Sequence, residues 1–99
     1  MSKKEFLQAK DTYLERLAMF VPIVDNVHGK HHPEFHDVRR VFETMKDKLD
    51  KADLSLDQEF KELKNITNNY EVPNDVCESY EAVYQMLETL NHAYDKNEE

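Results

Sequence analysis

The chain reads as an all-α protein, an up-down-up-down antiparallel four-helix bundle, and three observations carry that expectation. Apolar residues recur at alternating spacings of three and four along four separate stretches, the period of a single helix face. There are one glycine and three prolines in 99 residues, with 34% charged residues, a composition that suits helices far better than strands and tight turns. The breaks between stripes are short, and short connections place successive helices antiparallel. A chain of 99 residues supports one modest core, so residues 1–99 are expected to form a single domain.

The first helix is predicted over 4–28, with Leu7, Leu14, Leu17, Val21, Val24 and His28 inward. Pro22 lies inside it, removing one backbone hydrogen bond and bending it near Ala18. Gly29 is expected to end it in the left-handed conformation that glycine reaches without steric penalty. The second helix is predicted over 33–51, opening at Pro33, whose missing N–H costs nothing in a first turn. It buries Phe35, Val38, Phe42, Met45 and Leu49. The third, over 55–69, opens on Ser55-Leu-Asp-Gln58, the form of a capping box, and turns Leu56, Phe60, Leu63, Ile66 and Tyr70 inward. Val72-Pro73 ends it, since the residue before proline avoids the helical region. The fourth, over 74–95, has Asn74 or Asp75 as its N-cap. Val76, Tyr80, Val83, Leu87, Leu90 and Tyr94 form its stripe.

A formal charge of −8 argues against nucleic acid or an anionic membrane as partner, because both require a basic face. It suits a cation or a partner with a basic patch. The single cysteine, Cys77, permits no internal disulfide and fits a reducing cytoplasm. The opening residues lack the apolar run of a signal peptide, and no stretch approaches transmembrane length. The expected location is cytoplasmic.

Four of the five histidines, His28, His31, His32 and His36, flank Gly29 and Pro33. The predicted topology puts the first and third connections at one end. This corner therefore faces Tyr70, Glu71, Asn74, Asp75, Cys77 and Glu78, while His92 lies at the far end. Imidazole, carboxylate and thiolate donors suit iron, with zinc as the alternative. The candidate metal ligands are His28 and His32, completed by His36, Glu71 or Cys77. Against this stands a plainer reading, solvated loop histidines with His28 hydrogen-bonded to a backbone carbonyl. The inward stripes are apolar, and no His-x-x-x-Glu pair occurs, which disfavours a metal pair inside the bundle. Cys77 near a helix start also suggests a nucleophile, but a small half-buried residue at a helix start is the reading that a lone cysteine favours. Phe6, Phe20, Val41 and Tyr84 fall outside the stripes and suggest a docking face.

Two strings, Val21 to Leu49 and Ile66 to Leu90, carry V-H-G-x-x-H-P and Y-x-x-P-x-x-x-C. They resemble the repair-of-iron-centres (RIC) proteins, hemerythrin-like di-iron proteins implicated in restoring iron–sulfur clusters after oxidative or nitrosative stress. The resemblance covers roughly residues 13–95. It implies a hemerythrin-like bundle with His28 on a family ligand position and His32 on the neighbouring string. Leu49-Asp-Lys-Ala-Asp53 and Asn91-His-Ala-Tyr-Asp-Lys-Asn97 stand where the family carries His-x-x-x-Glu pairs, and the family's small cysteine-bearing N-terminal domain has no counterpart. The expectation is a short RIC-like protein of iron handling or cluster repair with an altered metal site. It turns over no substrate, and its partner is an iron–sulfur protein client or a second copy supplying missing ligands. The alternative is a metal-free interaction module.

Overall fold

The computed structural model describes residues 4–96, and within them four α-helices and no strands. They are α1 (Lys4–His28), α2 (Glu34–Asp50), α3 (Asp57–Thr67) and α4 (Glu78–Lys96). The elongated molecule measures 41 × 23 × 21 Å, close to the ~37 Å that 25 helical residues span. α1 packs on α4 and α2, and α2 packs on α3. No helix among the described residues is long and apolar enough to cross a membrane.

The core is the merged set of predicted stripes: Leu17, Val21 and Val24 of α1, Phe35, Val38, Phe42 and Met45 of α2, Phe60 and Leu63 of α3, Tyr80, Val83, Leu87, Leu90 and Tyr94 of α4. The start of α1 departs from the prediction. Phe6 is fully buried against the edges of Phe60 and Tyr94, at ring distances of 6.2 and 5.4 Å, while Leu7 is 38% exposed. The larger ring fills the lower end of the barrel, which rotates Leu7 outward. Two more residues assigned to a docking face, Val41 and Tyr84, are also buried, leaving only Phe20 half-exposed.

Four helix ends differ from the sequence expectation, each for a local reason. Gly29 does not adopt a positive φ. It opens the turn after α1, its N–H donating to Asp25 O at 2.9 Å, and its role is close approach rather than a left-handed cap. Pro33 is the N-cap of α2 at φ −62°, and the helix proper starts at Glu34. The capping box at Ser55 and Gln58 does not form, and Leu56 is the N-cap of α3 with no side-chain cap. Asp53 Oδ1 instead accepts the Ser55 N–H at 3.0 Å. The Tyr94 hydroxyl accepts the buried Leu56 N–H at 3.0 Å and donates to Leu54 O at 3.2 Å. α4 begins at Glu78, because Asp75 is engaged by His32 rather than capping a helix.

Tyr94 thus caps α3 from the opposite side of the core. Tyr94→Phe keeps the ring and leaves the Leu56 N–H only its bond to Leu54 O at 3.1 Å, a loss of about 0.5–1.5 kcal/mol. Urea unfolding followed by circular dichroism is expected to show that loss.

α3 is the shortest helix, and its end shapes the rest of the chain. Asn68, Asn69 and Tyr70 take left-handed φ angles of 54°, 62° and 64°. Asparagine tolerates this region, whereas a bulky aromatic seldom enters it. Backbone bonds from Asn69 N–H to Lys64 O at 2.8 Å and Glu71 N–H to Thr67 O at 3.0 Å hold the turn, with two more from the Thr67 hydroxyl. Thr67 Oγ1 donates to Leu63 O at 2.7 Å and accepts the Tyr70 N–H at 2.7 Å. From there residues 71–77 run to the end of the bundle where α1 meets α2.

Candidate functional site

His28 is the last residue of α1, one turn beyond Val24 on the inward stripe, and it points at the start of α4. Its Nε2 lies 3.2 Å from Cys77 Sγ, across 49 positions of sequence. Cys77 immediately precedes α4, and its carbonyl accepts the Glu81 N–H at 3.2 Å, the first bond of that helix. The thiol is exposed, and the imidazole is half-buried with its edge on Tyr80 at 5.4 Å. One nitrogen and one sulfur donor therefore stand side by side at the protein surface.

His32 sits over the other edge of Tyr80, at 5.6 Å. Its Nδ1 is 3.1 Å from Glu34 Oε2, and its Nε2 is 3.0 Å from Asp75 Oδ1. Burial alone lowers an imidazole pKa, but here the hydrogen bonds and charges of the two carboxylates outweigh it and raise the pKa above 6.5. Asp75 is lowered in turn, by its own backbone N–H first and by His32 next. An imidazole that donates from both nitrogens keeps no lone pair for a metal. His32 is a clamp that ties the α1–α2 turn to the α3–α4 connection.

The sign of the resulting pH dependence follows from these directions. A raised folded-state pKa makes the His32 contribution complete below pH 6.5 and removes it as pH rises through the folded value. The lowered Asp75 makes its contribution present above pH 3.8 and lost as pH falls through its folded value. The stability difference between wild type and His32→Gln is therefore expected to be larger at pH 6 than at pH 8 in urea unfolding.

His36 turns away from this corner. Its Nδ1 is 2.6 Å from Oδ1 of the buried Asp25, a close contact outside aligned hydrogen-bond geometry. Asp25 Oδ2 accepts a hydrogen bond from Arg39 at 3.2 Å, and Arg39 also donates to Glu43 at 3.1 Å. Gly29 makes room for this pair, since a Cβ there lies 2.6 Å from His36 Cε1 and 3.1 Å from Asp25 Oδ1. Glu71 is likewise elsewhere, its Oε1 accepting the Asn68 side-chain N–H at 2.6 Å.

Of the five candidate ligands, the fold brings His28 and Cys77 into contact and sends His32, His36 and Glu71 to other partners. Among the described residues no three His, Cys, Asp or Glu side chains group so as to hold a metal ion. A di-iron centre inside the bundle does not fit these residues either. The two buried carboxylates, Asp25 and Glu59, pair with Arg39 and Lys48 between neighbouring helices, and the other buried core side chains are mainly apolar.

Sequence reasoning missed three participants. Tyr80, taken as a core ring, is the floor under both histidines, and its hydroxyl donates to Glu34 Oε2 at 3.4 Å and pairs with Tyr84 OH at 3.0 Å. Burial pushes both phenols up, so they stay neutral hydrogen-bonding groups. Glu34 adjoins Pro33 in the first turn of α2, where an acid favours the helix dipole and reaches back to His32. Asp25 follows Val24 directly, beside the inward stripe, and that position was the available signal.

Fold and site together define an all-α four-helix bundle carrying a surface histidine–cysteine contact over a tyrosine pair. Comparisons with protein-family models, with curated proteins and with solved structures find no match to this chain.

Proposed function

We propose that this chain is a short RIC-like protein of iron handling or iron–sulfur cluster repair, which contacts iron as cargo through His28 and Cys77 and holds no resident di-iron centre. One observation carries the reading. The two strings that resemble the RIC family, far apart in sequence, pack against each other, and among the atoms they bring together are an imidazole nitrogen and a thiol sulfur 3.2 Å apart. Such donors favour iron, zinc and iron–sulfur species over hard cations. With Nε2 as acceptor, the Cys77 thiol donates a hydrogen bond to His28, so metal entry at the sulfur displaces one proton. Two donors leave the remaining coordination positions to the client or to a second copy, an arrangement suited to transfer rather than storage. The −8 charge adds a field that attracts cations.

Anaerobic equilibrium dialysis against ferrous iron tests this. Wild type is expected to retain one iron per chain with modest affinity, and Cys77→Ser and His28→Ala each to weaken it by at least about tenfold, since even outer-shell changes cost that much at metal sites. Equal retention by Cys77→Ser and wild type contradicts the proposal.

A second reading, a docking module, is favoured by one feature of α1. Met19, Ile23 and Val27, spaced by four on one face, are 61%, 53% and 64% exposed. A separate groove between α1 and α4 is lined by Tyr13, Phe20, Ala82 and Met86. The same dialysis separates the readings, because a pure docking module leaves the iron in the buffer.

A further inference from the structure

The outer groove between α1 and α4 differs in charge from the rest of the surface. Two hollows of about 520 and 340 Å³ follow one another along it and share Thr89. Among the described residues, Arg16 is the one charged side chain of the seven that line the larger hollow. The α1–α2 groove has five charged residues of seven, Lys10, Asp11, Glu15, Lys46 and Asp50. Glu5, at the far end, is the one carboxylate lining either α1–α4 hollow, on a chain with 21 acidic residues. Two chains of net charge −8 approach with least repulsion where carboxylates are absent.

The two halves of this face are opposite in relief. Small side chains, Ala9, Thr12, Thr89 and Ala93, line the hollow at one end. Toward the other end of α1, Ile23 and Val27 stand 53% and 64% exposed. They follow Phe20 at spacings of three and four, which keeps side chains on one helix face. A face with a hollow at one end and apolar knobs at the other is complementary to itself after a two-fold rotation, the symmetry of an isologous dimer. One register serves the whole length. With the two α1 helices antiparallel and Val27 level with Ala9 of the second copy, Ile23 meets the second copy's Tyr13 and Phe20 its Arg16. Arg16 is exposed, with no carboxylate three or four residues away on α1, so its guanidinium is available to lie over that ring. Lys30 then falls within one residue of the second copy's Glu5, and both are exposed. The face is ~37 Å long and about two helices wide, close to the ~800 Å² per partner of a standard interface.

We propose that the α1–α4 face binds a second copy of this chain as an antiparallel two-fold dimer, with Ile23 and Val27 of each chain seated in the hollow of the other. In that dimer the two His28–Cys77 contacts stand at opposite ends, about 30 Å apart along the helices. The second copy therefore supplies no metal ligand, and the dimer is independent of the iron reading.

Sedimentation equilibrium of the full chain, in buffer containing a metal chelator, tests the face. A monomer–dimer equilibrium is expected. Ile23→Glu and Val27→Asp are each expected to raise its Kd by at least about tenfold, since each places a charge in the interface twice per dimer. Both side chains are exposed in the single chain, so the helical circular dichroism is kept. Lys30→Glu sets like charges against Glu5 of the second copy and is expected to raise Kd about fivefold. Glu5→Lys added to the same chain is expected to restore it, which fixes the antiparallel register. A monomer at every concentration up to about 1 mM, a dimer indifferent to Ile23→Glu and Val27→Asp, or a Lys30→Glu dimer that Glu5→Lys fails to restore would each overturn the proposal. So would association that needs added metal.

Discussion

Truncation of Tyr80 to alanine is expected to lower the unfolding free energy by about 4 kcal/mol, the cost of removing a large ring from a closed core. Tyr80 is fully buried. Its ring lies 5.0 Å from Phe35 and 4.9 Å from Tyr84, and it carries the edges of His28 and His32 on its remaining sides. A domain of this size has about 5–15 kcal/mol in total, so the variant sits close to the folding threshold. Tyr80→Phe separates packing from hydrogen bonding. It keeps the ring and loses the contacts to Tyr84 and Glu34, a smaller change of about 1 kcal/mol. Urea unfolding of both variants is the measurement, and an alanine variant as stable as the phenylalanine variant would show that the ring is not the floor of the corner.

The second large effect is expected at Gly29. An alanine Cβ there lies 2.5 Å from the Asp25 carbonyl oxygen and 2.6 Å from His36 Cε1. The His36 ring can swing away, but the Asp25 carbonyl belongs to the backbone of α1 and accepts the Gly29 N–H, so the last turn of α1 must shift. Overpacking of this kind costs about 1–3 kcal/mol, which lowers Tm by roughly 4–8 °C for each kcal/mol in a domain this small. Because His28 precedes Gly29, the same shift moves the imidazole relative to Cys77. Gly29→Ala is therefore expected to lose thermal stability and iron retention together, measured by calorimetry and dialysis on one preparation. A variant with unchanged Tm would mean that the α1–α2 turn is looser than the close approach at Gly29 requires.

The helices and most of the core were legible in the sequence because heptad spacing reports directly which face of a helix is buried. Val21, Val38, Phe42, Leu63, Val83 and Leu87 obey it without exception. Chain ends and turns were harder, since there several groups compete for the same backbone partners. The hydroxyl of Tyr94 reached the Leu56 amide from across the core, a tertiary contact that no local pattern at Ser55–Gln58 encodes. Asp75, a good N-cap by type, was drawn away by His32. Phe6 and Leu7 are both apolar neighbours, and only the size of the space at the end of the barrel decides which enters it.

The candidate site was legible at the level of its corner and not of its partners. Topology alone placed the four histidines at the same end as Asp75 and Cys77, without saying which would meet which. Which imidazole keeps a lone pair depends on carboxylates one or two bonds away, Glu34 and Asp75 for His32 and Asp25 for His36, and histidine spacing carries no information about those. The Asn91–Tyr70 hydrogen bond was invisible for a similar reason. Asn91 is apolar-stripe neighbour to Leu90 and looks like a surface residue until α3 ends in three left-handed residues and brings Tyr70 over it.

The central claim is that His28 and Cys77 act as one open nitrogen–sulfur contact for iron. Its most direct test is the absorption spectrum of the reduced protein with one equivalent of cobalt(II), a spectroscopic stand-in for ferrous iron. An intense near-ultraviolet thiolate-to-metal band is expected for wild type, absent in Cys77→Ser and weakened in His28→Ala. A wild-type spectrum that merely reproduces hydrated cobalt, or a band indifferent to both substitutions, would contradict it.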